Sequence, residues 1–165
     1  MSANKRPAKR YRPRHVTRHT LAVAIDGAAK PAAADRRQIL AKLTESLHAF
    51  RTARATQYDW SVMAGAVVLA QCIEKMGVVR GLQEHLATTE SILYGVRVRA
   101  MQSGQWVSPT LHGPEIEQLD FFLEDLHSFQ LEQLSRSEFL SAIDSATVAV
   151  KRSGYSVTVE TRVCP

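Results

Sequence analysis

The stretch QYDWSVMAGAVVLAQCIEKM, residues 57–76, decides how this chain folds. Its large apolar residues, Trp60, Val62, Met63, Val67, Leu69, Ile73 and Met76, fall on all sides of a helical wheel, and Gly77 follows as a helix stop. A helix that is apolar all round must be covered all round, so this one is expected at the centre of a bundle.

The flanking sequence supplies the covering helices. From about residue 31 or 35 to 54, Ile39, Leu43, Leu47 and Phe50 recur with helical period, and Asp35 with Gln38 has the spacing of a capping box. From about 79 to 101, Leu82, Leu86, Thr89, Leu93, Val96 and Ala100 share one face. Residues 105–113 read as a loop punctuated by Pro109 and Gly113, in which Trp106 is expected to pack against the bundle. Pro114 suits the first position of a fourth helix, with Ile116, Leu119, Phe122, Leu123, Leu126 and Phe129 inward. Ser135 and Glu138 form a second capping box, opening a fifth helix with Phe139, Ile143, Ala146 and Val150 inward and Gly154 beyond its end. Residues 21–25 read as a short strand or lead-in, and residues 156–163 alternate in a strand-like way, with Val157, Val159 and Val163 on one side. The expectation is a mainly α chain: a single bundle of about five helices over residues 20–154, a disordered basic arm over 1–19, and a short strand-like tail over 155–165.

Charge divides the chain as sharply as hydropathy does. The first 19 residues hold Lys5, Arg6, Lys9, Arg10, Arg12, Arg14 and Arg18 and no acid, so the arm carries +7 while the rest is near −2. Pro7 and Pro13 keep the arm out of a helix. Such a segment suits a polyanionic partner: nucleic acid, an anionic surface or an acidic protein patch. Arginine can grip phosphate through paired hydrogen bonds, and Tyr11, set among Arg10, Arg12 and Arg14, can stack on a base. The bland alternative is a solvated tail. The counterpart is the fourth helix, where residues 113–134 carry Glu115, Glu117, Asp120, Glu124, Asp125 and Glu132 and neither Lys nor Arg. Such a strip is usually a solvated face; the sharper reading makes Glu117, Asp120, Glu124 and Asp125 a docking surface for a basic partner, the chain's own arm included.

The remaining constellations point away from catalysis. Glu45/His48 and Glu124/His127 have the Glu-x-x-His spacing of carboxylate-bridged di-metal bundles. At about 100° per residue, however, both pairs turn away from the apolar faces of their helices, His127 reaching only the flank, so they read as divergent surface residues. Cys72 reads as a small core residue, and Cys72 with Cys164 does not suggest a bridge. His112 stands alone on a loop, and no glycine-rich phosphate loop is present. The most apolar run, residues 60–73, is too short for a membrane span, and residues 21–25 are too short for a signal sequence. No catalytic residue, metal or cofactor is expected, and the reading is a cytoplasmic protein without a membrane partner.

Several short motifs carry a resemblance. Lys9-Arg10-Tyr11-Arg12-Pro13-Arg14, Ala55-Thr56-Gln57-Tyr58-Asp59-Trp60, the Trp106/Pro109/Leu111/Gly113 spacing and the run His127/Gln130/Leu131/Leu134/Ser135/Glu138 are similar to small uncharacterised proteins encoded by phages and prophages of proteobacteria. The resemblance implies a phage accessory protein and supplies no activity and no site residues. Two functions follow as expectations. The first is a non-enzymatic accessory protein whose arm binds nucleic acid or a nucleoprotein complex. The second is an adaptor or inhibitor that binds a host protein, such as a defence component, through its helical surface.

Overall fold

The computed structural model describes residues 26, 28–31 and 33–152. The arm, the segment 21–25, the tail 156–163 and Cys164 lie outside the described residues. Within them the protein is helical: α1 Ala33–Arg51, α2 Gln57–Met76, α3 Gln83–Ala100, α4 Gly113–Phe121, a π-helical turn Phe122–His127, α5 Ser128–Gln133 and α6 Arg136–Arg152. Because α4, the π turn and α5 follow without a break, they form one rod, and the described residues make five helical rods.

Helix α2 is the centre, in contact with α1, α3 and α6. Its apolar residues are divided between two clusters. Trp60, Met63, Ala66, Val67 and Ala70 join Leu43, Leu47 and Phe50 of α1, Leu86, Leu93 and Val96 of α3, and Leu119, Phe122 and Leu123 of the rod. Leu69, Cys72 and Ile73 join Leu131, Leu134, Phe139, Ala142 and Ala146. Serving two clusters is the physical reason for the unbroken apolarity of residues 57–76. The helix is also well closed at both ends. The Thr56 hydroxyl accepts from the Asp59 N–H (3.3 Å), and the Asp59 carboxylate accepts from the Thr56 N–H (2.7 Å). Gly77 takes the left-handed conformation, φ 80°, that glycine adopts without steric cost.

Several helix ends differ from the sequence expectation. Helix α1 stops at Arg51 rather than 54, because Ala53 turns left-handed (φ 52°) and Arg54 N–H returns to the Ala49 carbonyl at 2.9 Å. Asp35 lies inside the first turn of α1, where a carboxylate favours the dipole, and is not a cap. Helix α3 begins at Gln83, later than expected, and the buried Glu74 carboxylate accepts the Leu82 N–H at 2.8 Å just before it. The Ser135–Glu138 capping box forms as expected, with Ser135 N–H to the Glu138 carboxylate at 2.8 Å. Trp106 packs against the first cluster and donates to the Ala55 carbonyl at 2.8 Å.

The rod holds the main correction. Its buried residues Leu119, Leu123, His127 and Leu131 recur every fourth position. In an α-helix a four-residue step overshoots by about 40°, so three steps would drift about 120° off the core. The π turn, whose wider i→i+5 bonding winds each residue through a smaller angle, takes that drift back. Two expectations fall with it: His127 is fully buried rather than on a surface flank, and Phe129, expected inward, is 50% exposed.

Candidate functional site

Between α2 and α3 lies an open groove of about 470 Å³, closed at one side by Val150 near the end of α6. It exists because α2 presents small residues there: Ser61, Ala64 and Gly65. A Cβ placed on Gly65 would meet nothing within 4 Å. Trp60 and Tyr94 form the aromatic walls. The Trp60 indole is held by a 2.8 Å hydrogen bond from Nε1 to the Leu93 carbonyl, and the Arg97 guanidinium lies 5.0 Å from its ring centre. Glu90, at the other end, accepts from Gln71 at 2.8 Å. The size and the apolar floor, rimmed by Gln57, Ser61, Glu90, Ser91 and Arg97, suit recognition of a segment with one apolar side. Tyr94 also heads an exposed apolar stripe along α3 with Val98 and Met101. The groove follows no motif; its signal in the sequence is the 61/64/65/68 spacing of small and branched residues on one face of an otherwise bulky helix.

The acidic rod is less uniformly free than its composition suggests. Glu117, Glu124 and Asp125 are exposed. Asp120 is half-buried and ion-paired with Arg51 of α1. Glu115 is ion-paired with Arg99 at 2.7 Å and accepts the His112 N–H at 2.9 Å. Burial pushes the Glu115 carboxyl up, but these hydrogen bonds and the Arg99 charge outweigh it and hold the group below the usual carboxylate range. His112 is thereby a helix-start residue of α4. A second groove, about 520 Å³, runs between α1 and the rod and brings Glu45, His48, Arg51, Asp120 and Glu124 to one surface. His127 is not among them, and no three His, Cys, Asp or Glu side chains of the described residues converge as metal ligands would. The eight arm residues, Lys5, Arg6, Lys9, Arg10, Tyr11, Arg12, Arg14 and Arg18, lie outside the described residues. The chain just after the arm is anchored at the corner between α5 and α6: Lys30 Nζ donates to the Glu132 carbonyl at 2.6 Å, and Arg136 pairs with Asp26 at 3.1 Å.

Among the described residues, burial shifts two core groups, Cys72 and His127. Burial pushes the Cys72 thiol up, against a weaker pull from Lys75, which keeps it protonated and unreactive. The His127 ring stacks on Phe122, with centres 5.5 Å apart and planes 18° from parallel. Among the described residues neither of its nitrogens nor Gln130 Oε1 has a hydrogen-bond partner of normal geometry, although Gln130 Nε2 donates to the Ala70 carbonyl at 3.1 Å. Burial pushes the imidazole down to about 4, and the neighbouring Gln130 opposes this only weakly. His127 is therefore a neutral core residue at physiological pH, stacked on Phe122. No helix of the described residues is long and apolar enough to cross a membrane. No protein-family model, curated protein or solved structure matches the chain.

Proposed function

We propose that this chain is a non-enzymatic, phage-type accessory protein of the cytoplasm, in which a helical body carries a basic arm that binds nucleic acid or a nucleoprotein complex. The observation that carries the reading is the division of charge: seven Lys and Arg without an acid in residues 1–19, against a body with a small negative excess. The arm contributes phosphate neutralisation, and Tyr11 contributes stacking on exposed bases. The acidic rod, with Glu117, Glu124 and Asp125 facing outward, disfavours binding of a polyanion over the body and so directs it to the arm.

Fluorescence-anisotropy titration of the full chain against duplex DNA, single-stranded DNA and RNA at several salt concentrations tests this. If about five phosphates are neutralised, log affinity falls against log salt with a slope of roughly −3.5 to −4.5. Changing Arg10, Arg12 and Arg14 together to Ala reduces that slope by up to about three for every sequence, because phosphate contacts position rather than specify. Absence of binding at low salt refutes the reading.

The exposed apolar stripe of Tyr94, Val98 and Met101 favours a second reading, an adaptor or inhibitor that holds a host protein against its helical surface. Salt separates the two: an apolar interface keeps its affinity as ionic strength rises, whereas arm-mediated binding loses it steeply.

A further inference from the structure

We propose that the outer face of the rod is a docking surface for a cationic, amphipathic segment of a partner protein. The face combines two phenylalanines with carboxylates. Phe121 is 37% exposed and Phe129 50%, and Glu117, Glu124 and Asp125 are exposed on the same outward side. Single exposed apolar side chains are ordinary on a protein surface, but two on one face among acids alone form a patch with a definite chemistry. The π turn creates that alignment. Phe121 and Phe129 are eight residues apart, and eight α-helical steps overshoot by about 80°, which would carry Phe129 round to a flank. The π turn between them takes this drift back, so the rings stand in line, about 12 Å apart along the rod. The pitch change that keeps Leu131 inward thus also turns Phe129 outward. The Phe121 ring is steadied by the edge of His85 from α3, with centres 5.4 Å apart.

Charge selects the occupant. Where the rod meets the body its carboxylates are neutralised: Glu115 pairs with Arg99 and Asp120 with Arg51. Where it faces outward they are not, and Glu117, Glu124 and Asp125 have no cationic partner among the described residues. An anionic partner is repelled by this face, and an uncharged apolar one would desolvate the carboxylates without pairing them. A segment with Lys or Arg beside apolar side chains satisfies both parts, and a helix with apolar residues at i and i+7 or i+8 matches the spacing of the two rings. Next to Glu124, the groove of about 520 Å³ between α1 and the rod, with Leu47 and Leu123 in its lining, has room for one further apolar side chain.

The probe is a synthetic helical peptide, about 27 Å long, or about 18 residues, with Leu on one face and Lys on the other; a scrambled peptide of the same composition is the control. Each is titrated into the full chain and followed by amide NMR shifts and fluorescence anisotropy. The expected shifts gather on the outward residues of 117–133, and the amphipathic peptide binds at least about tenfold tighter than the scrambled one. Phe121→Ala together with Phe129→Ala lowers its affinity about tenfold or more, and Glu124→Gln with Asp125→Asn removes most of its salt dependence. Phe129→Ala alone, at a half-exposed ring, keeps the dispersed amide spectrum of the folded chain and still weakens binding several-fold. Shifts centred on another face, equal binding of the scrambled peptide, affinity indifferent to these variants, or no binding would each overturn the proposal. So would movement of the amide resonances of residues 1–19 in the double phenylalanine variant without peptide, which would make the chain's own arm the occupant. The variants leave every basic residue of the arm in place, so the nucleic-acid titration stands or falls separately.

Discussion

Helix α2 keeps one pitch for twenty residues, whereas the rod that begins at Gly113 changes pitch at Phe122 and recovers it at Ser128. Both contribute to the two clusters, but the packing asks different things of them. Helix α2 meets both clusters with different faces, and a regular helix with bulky residues on several sides satisfies both. The rod must keep a single stripe inward from Leu119 to Leu134 while it passes from the first cluster to the second. Its buried residues repeat every four positions, which a uniform α-helix cannot keep on one side. A helical wheel is thus reliable for α2 and misleading for the second half of the rod, and the error shows at His127 and Phe129.

Two phenylalanines seven residues apart give the largest expected contrast. Phe122→Ala removes a fully buried ring from the first cluster and should cost about 3–5 kcal/mol in urea or thermal unfolding. Phe129→Ala should change stability by less than about 0.5 kcal/mol, because its ring is half in solvent. A straight α-helical rod would make both changes costly.

The next effect is in pH. The His127 imidazole has its folded value depressed from 6.5 to about 4, so the unfolded chain binds the proton more readily than the folded one. Its contribution to stability is complete above pH 6.5, falls as the pH drops from 6.5 to 4, and has cost about 3 kcal/mol at the lower limit. His127→Leu should remove this slope and leave the protein at least as stable at neutral pH, since an apolar side chain replaces a buried ring with no hydrogen-bond partner among the described residues. The Glu138 carboxyl, held low by the Ser135 N–H and hydroxyl, gives a separate loss that sets in only in the carboxylate range, as the pH falls through its lowered value. Denaturant midpoints measured from pH 8 to pH 4 for the two proteins separate these contributions.

A smaller loss lies on the regular helix. Thr56→Ala removes the hydroxyl that accepts the Asp59 N–H and should cost about 1 kcal/mol, as N-cap losses do. A much larger cost would mean that α2 depends on its cap more than on the two clusters that enclose it.

What could be read in the sequence follows the same division. The central position of α2, the inward face of α3 and the Ser135–Glu138 cap were legible because each depends on side chains a few residues apart in a regular helix. The end of α1 was not, because Ala53 takes a left-handed conformation that the sequence marks with no glycine. The π turn was hidden because its only trace is a four-residue repeat that competes with a fair 3.6-residue pattern. The groove was hidden for another reason: it is formed by the small side chains of α2 against α3 and against Val150 of α6, which is distant in sequence. The basic arm was the plainest feature of composition, and its chemistry rests on charge rather than on a fold.

The measurement that bears most directly on the pitch change is the titration of the His127 ring, followed by its imidazole NMR resonances in the full chain with His127→Leu for assignment. Buried by the π turn, the ring should stay neutral as the pH is lowered and take its proton only near 4. A ring that titrates near 6.5 with the fold intact would place His127 at the surface, straighten the rod and contradict the account.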